Sequence, residues 1–349
     1  MATFAVVKIG LITVISFFIA LFATPILTHF LYKYKLGKQI RDGNSAPIFA
    51  AMHKDKAGTP TMGGVLIWAT VFLLALAFSA IAKFFPGSFL GGLNFLTREQ
   101  TLLPLGALVM TALIGLADDY LGVKKIGPKG GGLDALLRLG IFLAIALVGA
   151  LWFYFKLDRD VFHIPFLGDF IIGWWYVPLF IFIVTATTFS VNETDGLDGL
   201  AGGVLVTIFA ALGAISFAQG RFELTAFCGA VIGALVAFLW FNINPARFFM
   251  GDTGAMSLGV TVGVIAMLTD TAILLPIIGF ILLVEALSVI IQVLSKKFRK
   301  KKVFLSAPIH HHFQAKGWPE PKIVMRFWLI SGIMTTVGMI IFLMDKWLY

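Results

Sequence analysis

The chain has 349 residues, of which 59 % are hydrophobic and only 13 % charged, and its mean hydropathy is +0.95. That apolar share lies far above the ~45–50 % of a soluble domain and excludes a soluble globular fold. The formal charge of +9 is gathered in one set of loops, which speaks for membrane topology and against nucleic-acid binding, and the single cysteine excludes an intramolecular disulfide.

A hydrocarbon crossing takes roughly 20 mostly apolar residues. Ten segments qualify, at about 5–32, 62–85, 99–119, 133–155, 171–191, 196–218, 222–243, 253–270, 272–295 and 324–345. They are expected to be helices, because a backbone in lipid must satisfy its own polar groups and barrel-type alternation is missing. The expected fold is therefore all-α: a polytopic integral membrane protein of ten transmembrane helices, forming a single domain over residues 1–349. The first span is longer than a signal-peptide core and lacks a charged start, so it is expected to be retained. All but seven of the 27 Lys and Arg lie in or beside the loops after spans one, three, five, seven and nine. They include Lys33, Lys35, Lys38, Arg41, Lys54, Lys56, Lys124, Lys125, Lys129 and the run Lys296 to Lys302. The positive-inside rule makes those loops cytoplasmic and both termini extracytoplasmic.

The loop after span one ends in Lys56-Ala57-Gly58-Thr59-Pro60-Thr61-Met62-Gly63-Gly64, where Lys56 is either a bilayer anchor or part of a pocket. Span three ends in Asp118-Asp119. Neighbouring helical side chains diverge by ~100°, so one cation cannot easily take both. A helix C-terminus is also a poor place for two carboxylates without a cation nearby. The pair is either a solvated boundary or a Mg2+ environment with one Asp as base. Residues 120–132 read as a flexible Gly-rich turn, and 157–170, on the opposite face, as a short hairpin.

Asn192, Asp195 and Asp198 are spaced i, i+3, i+6, which a helical turn would align on one face. Gly196 and Gly199 leave backbone open to a ligand, and helix capping would account for only one of these polar residues. Asp252 either caps the next helix or binds a metal, and Phe249 either stacks on a planar base or faces lipid. Glu285 and Gln292 share a face of span nine, as a functional pair or as an interhelical hydrogen-bonding pair. Pro276 and Gly279 permit a bend there. His310-His311-His312 suit hydrogen bonds to phosphate or carboxylate better than a zinc site, the other reading being a solvated loop. Cys228, within span seven, is expected to be a packing residue.

Taken together, these residues resemble the phospho-N-acetylmuramoyl-pentapeptide transferase family, a branch of the polyprenyl-phosphate N-acetylhexosamine-1-phosphate transferases. The resemblance runs from Lys56 to Trp328. It rests on the Lys56–Gly64 segment, Asp118-Asp119-Tyr120, Thr194-Asp195-Gly196-Leu197-Asp198-Gly199-Leu200-Ala201 and Phe249-Met250-Gly251-Asp252-Thr253-Gly254. It extends through Ala307-Pro308-Ile309-His310-His311-His312-Phe313 and Lys316-Gly317-Trp318-Pro319-Glu320-Pro321-Lys322. The chain departs from the family's usual pattern at Phe189 and Glu193.

The resemblance implies transfer of phospho-MurNAc-pentapeptide from UDP-MurNAc-pentapeptide to undecaprenyl phosphate, with Mg2+ as cofactor, in a homodimer whose site faces the cytoplasm from a bacterial inner membrane. It implies Asp252 as metal ligand and Asp118 and Asp119 as groups that position or deprotonate the lipid phosphate, or supply a nucleophile. It also implies a substrate pocket of Lys56, Thr61, Asn192, Asp195, Gly196, Leu197, Asp198 and Phe249, with His310, His311 and His312 near the sugar phosphate. The competing expectations are a transferase using a UDP-N-acetylhexosamine and, in another class, a transporter. A transporter typically carries its charge near the bilayer midplane between repeated halves, whereas here the charge sits at one surface with no evident repeat.

Overall fold

The computed structural model describes residues 2–37, 56, 58–128 and 131–348. Lys38, Arg41, Lys54, Ala57, Lys129 and Gly130 lie outside the described residues. The helices are α1 (Ala2–Lys33), α2 (Val65–Phe84), α3 (Leu102–Val123), α4 (Ala135–Lys156), α5 (Tyr176–Thr194), α6 (Leu200–Ala218) and α7 (Phe222–Asn242). They continue with α8 (Gly251–Leu268), α9 (Leu275–Ile278), α10 (Phe280–Phe298), α11 (Ile309–Ala315) and α12 (Glu320–Leu348). Between α4 and α5 stands the expected hairpin, β1 (Val161–Ile164) paired antiparallel with β2 (Gly168–Ile171).

Among the described residues, nine helices are long and apolar enough to cross a bilayer. A tenth span is broken: Ala272–Ile278 and Phe280–Phe298 meet at 86°. Gly279 is the break, and Pro276 sits in the first turn of α9, where its missing N–H costs no helical hydrogen bond. The polytopic all-α fold is the one composition demanded.

α8 is the hub of the bundle. Every one of its residues is buried except Asp252. Its sequence is rich in Gly, Ser, Thr and Ala, which lets helices approach backbone to backbone in a membrane protein. A Cβ added to Gly115 of α3 would lie 2.5 Å from the Asp252 carbonyl oxygen. On α8 itself, a Cβ on Gly259 or Gly263 would lie 2.7 and 2.9 Å from the Cα atoms of Thr188 and Val184 on α5. The buried hydroxyls of Ser257 and Thr261 donate to carbonyls one turn back, at 2.6 and 2.7 Å, whereas that of Thr253 donates across to the Ala112 carbonyl of α3 at 2.8 Å. This packing brings the mouths of α3, α5 and α8 to one place.

Two local expectations are corrected. α3 runs on to Val123, so residues 120–123 are helix rather than turn. The stretch 296–323 is no simple loop, because α10 extends to Phe298 and the histidines form α11.

On the face opposite Asp252, the hairpin is latched to the end of α12. His163 bonds Asp169 through Nδ1 and Asp345 through Nε2, both at 2.7 Å, and the Phe166 N–H donates to Asp345. Burial pulls the His163 pKa down, but the two carboxylates outweigh it and hold the pKa above the ordinary value. A raised folded-state pKa contributes stability that is full below the unfolded value of about 6.5 and is lost as pH rises through the folded value. The melting temperature in detergent should therefore fall from pH 6 to pH 9 by an increment that His163→Gln lacks. Equal pH slopes for the two proteins would remove the latch.

Candidate active site

At the α8 mouth, the segment 60–64 docks along 249–250. The Phe249 N–H donates to the Pro60 carbonyl, and the Gly63 and Gly64 N–H groups donate to the Phe249 and Met250 carbonyls, all at 2.8 Å. Gly63 and Gly64 are packing residues: a Cβ on either would lie 2.3 Å from the Phe248 ring or the Gly254 Cα. Thr61 is thereby buried, with its hydroxyl 3.4 Å from Asp119 Oδ1. The Thr253 N–H donates to Asp119 Oδ2 at 3.1 Å. Gly251 completes the contact with a left-handed φ of +73°, and a Cβ there would stand 2.5 Å from Asp119 Oδ2.

Asp118 turns the other way, as the ~100° helical divergence requires. It is buried, neither half of a solvated pair. Its Oδ1 accepts the Leu133 N–H at 2.6 Å, and its Oδ2 accepts from Arg138 at 2.9 Å. Asp134 caps α4 through the Leu136 N–H, which sets Arg138 one turn into the helix. The same Arg138 nitrogen lies 3.1 Å from Asp252 Oδ2, while Asn192 donates to Asp252 Oδ1 at 3.2 Å. Asp252 is thus no helix cap; α8 begins without a side-chain cap. Two carboxylates from different helices converge on one cation.

A second cluster lies beside the first. Lys56 Nζ is 2.6 Å from both Asp198 Oδ1 and Glu320 Oε1, and 5.9 Å from the centre of the Phe249 ring. Lys56 is therefore an ion-pairing residue and not a bilayer anchor. Phe249 is half-buried against it instead of facing lipid. Asp198 also accepts from Asn244 and from the Ala246 N–H, at 3.0 and 3.1 Å.

The run from Asn192 to Asp198 does not share one helical face. α5 ends at Thr194, Asp195 is its C-cap, and Gly199 takes φ +81° before α6 begins. Asn192 consequently turns to Asp252, and Asp198 to Lys56. Leu197 is buried in the hydrophobic core, so only its backbone is available to a ligand. Trp328 fastens this turn by donating to the Gly199 carbonyl at 3.2 Å.

The three histidines are not a solvated loop. His310 and His311 are buried, and their rings meet edge to face with 4.1 Å between centres. His310 Nδ1 meets Glu285 at 2.9 Å, His311 Nδ1 meets Gln314 at 2.7 Å, and His312 Nδ1 accepts the Leu305 N–H at 3.2 Å. A Cβ on Gly196 would stand 2.2 Å from His310 Nε2, so the glycine is what lets the imidazole reach the Asp195–Asp198 turn. Phe313 stacks on Trp318, whose other neighbours are Lys322 and Arg326.

Sequence reasoning missed Arg138, Glu320 and Asn244 as members of the site. Glu320 lay inside a quoted motif without a role, and its flanking prolines were the available signal. Among the described residues no group of three or more His, Cys, Asp or Glu converges as a metal cage. Mg2+ does not need one, since it is commonly held by one or two carboxylates and by substrate phosphates. Asp118 and Asp252, which share one cationic nitrogen within 3.1 Å of both, are the two carboxylates that would hold such an ion.

The chain matches the Glycosyl transferase family 4 model over residues 101–270 and the Phospho-N-acetylmuramoyl-pentapeptide-transferase signature 1 over residues 56–67. It is 40 % identical over 342 residues to the phospho-N-acetylmuramoyl-pentapeptide-transferase of Chloroflexus aggregans, covering 94 % of this chain and 88 % of the relative. The enzyme of the same name from Chloroflexus aurantiacus is 39 % identical over 88 % of this chain and 82 % of its own. That of Clostridium kluyveri is 38 % identical over 93 % of this chain and 96 % of its own.

Proposed function

The chain belongs to the phospho-N-acetylmuramoyl-pentapeptide-transferase family, and we infer that the face carrying Asp118, Asp119 and Asp252 is where its chemistry occurs. It catalyses the first membrane step of peptidoglycan synthesis, moving phospho-MurNAc-pentapeptide from UDP-MurNAc-pentapeptide to undecaprenyl phosphate to give lipid I and UMP. It is an integral protein of the bacterial inner membrane. The charge bias of the loops supports a cytoplasmic orientation for the site, within reach of a soluble nucleotide.

An oxygen of the lipid phosphate attacks the phosphorus that carries the sugar. The bond from that phosphorus to the bridging oxygen breaks, and UMP leaves with the electron pair. Anion must approach anion, so the site has to supply positive charge where the phosphates meet. The observation that carries this reading is the single Arg138 nitrogen held by both Asp118 and Asp252. Asp252, with Asp118 beside it, would hold Mg2+, which when bound offsets charge on the phosphates. Asp119, fixed by Thr61 and the Thr253 N–H, faces the incoming lipid phosphate. Lys56, Asn192, Asp195, Asp198 and Phe249 hold the nucleotide, with backbone from Gly196 and Leu197, and the histidines face the sugar phosphate. A homodimer belongs to the same reading and is tested by cross-linking in native membranes.

Purified protein given UDP-MurNAc-pentapeptide, undecaprenyl phosphate and Mg2+ should form lipid I and release UMP, stop on chelation and resume when Mg2+ is restored. UMP released only from a UDP-N-acetylhexosamine would overturn the donor assignment.

A further inference from the structure

α10 is inside-out for a helix of this kind. Its polar residues Glu285, Ser288, Gln292 and Ser295 are all buried on one face, while Leu287, Ile290, Ile291, Val293 and Leu294 are exposed. The polar face holds the histidine segment. Ser295 donates to the Lys301 carbonyl at 2.9 Å. Gln292 Oε1 accepts from the Val303 and Phe304 N–H groups at 3.0 Å, and its Nε2 donates to the Phe304 carbonyl at 2.9 Å. Glu285 then meets His310 Nδ1 at 2.9 Å, with both side chains fully buried. The Ile309 and His310 backbone N–H groups turn towards the same carboxylate.

We propose that Glu285 is the positioning residue for His310: it holds Nδ1 and shares a proton with the ring, so that Nε2 is presented as a hydrogen-bond donor to the donor substrate's anionic sugar phosphate. The proposal rests on the assignment of the Asp195–Asp198 turn to the nucleotide-sugar pocket. Whether the shared proton rides on Nδ1 or on the carboxylate, Nε2 keeps its own hydrogen. Once the pair loses one of its two protons, the carboxylate keeps the remaining one on Nδ1, and Nε2 is left as an acceptor that repels a phosphate oxygen. The two residues titrate as one unit.

The other ionisable groups around the pair sit on the neighbouring elements. They are Glu193, Asp195 and Asp198 at the α5–α6 turn, His311, His312 and Lys316 on or after α11, and Lys56, Glu320, Lys322 and Arg326 around α12. Asp198 and Glu320 are committed to Lys56, and Lys322 and Arg326 to Trp318. On α10 itself Glu285 stands alone until Lys296.

The test is the pH profile of UMP release from UDP-MurNAc-pentapeptide. Wild type should lose rate on an alkaline limb set by the pair. Glu285→Gln removes the charge that retains the proton, and should move that limb down by about one pH unit while raising the KM for the donor and not that for undecaprenyl phosphate. Gln292→Ala, which loosens the segment without touching the pair, should lower the rate and leave the limb in place. If Glu285→Gln does not fold, Glu285→Asp should keep the limb, and His310→Gln should abolish it. A wild-type limb in folded Glu285→Gln, or its survival in His310→Gln, overturns the proposal. Wild type that releases no UMP would instead sink the donor assignment, before any variant is compared.

Discussion

Asp252→Ala should lower lipid I formation by about a thousandfold or more, the scale on which losing one preorganised charge-stabilising group is felt, while the protein remains folded in detergent. The structure separates the two effects. Asp252 is the one α8 residue that is not buried, so its side chain contributes to the site and not to the helix packing. Arg138 keeps Asp118 as a partner in the variant, at the 2.9 Å of the parent contact. Excess Mg2+ should not restore turnover. Substantial activity of the variant at saturating Mg2+ would retire Asp252 as metal ligand, and a collapse of the melting temperature would retire the claim that it is mechanically idle.

Lys56→Met is the second large effect, and there stability and activity fall together. Lys56 is the shared cation of Asp198 and Glu320, at 2.6 Å from each, and all three side chains are largely shielded from water. Removing it leaves two carboxylates facing one another, a change of the kind that costs about 3–5 kcal/mol when a buried pair is broken. The Asp198 N–H also donates to Glu320 at 2.6 Å, so the whole Asp195–Asp198 turn loses its outer wall. Glu320→Gln added to Lys56→Met should return part of the stability without returning donor binding. A double-mutant cycle in denaturant should show coupling of at least about 1 kcal/mol. Strictly additive single changes would mean that the ion pair is incidental.

The fold was legible in the sequence wherever the bilayer sets the rule. Spans were readable from length and hydropathy, the break at Gly279 from Pro276 and Gly279, and the hairpin between α4 and α5 from its turn residues. The site was legible as a set of residues and much less so as a set of contacts. Arg138 reaches Asp252 across 114 positions and Lys56 reaches Glu320 across 264, and no local spacing encodes such pairs. Where local spacing was used, at Asn192, Asp195 and Asp198, it misled, because the helix stops at Thr194 and Gly199 reverses the chain. The α11 helix escaped notice for a different reason. Seven residues are too few to show a period, and its order comes from Glu285 and Trp318 in other segments.

The backbone contacts of α8 bear on how this protein fails. Gly115, Gly259 and Gly263 touch no reacting group, yet each is the point where one main chain lies against another. A bulkier side chain there cannot be absorbed by a rotamer change, and it would push apart the helix mouths that carry the carboxylates. A genetic map of inactivating lesions would therefore score these glycines beside Asp118 and Asp252. Inactivity alone would not tell a residue that meets the phosphates from one that keeps the floor beneath them level.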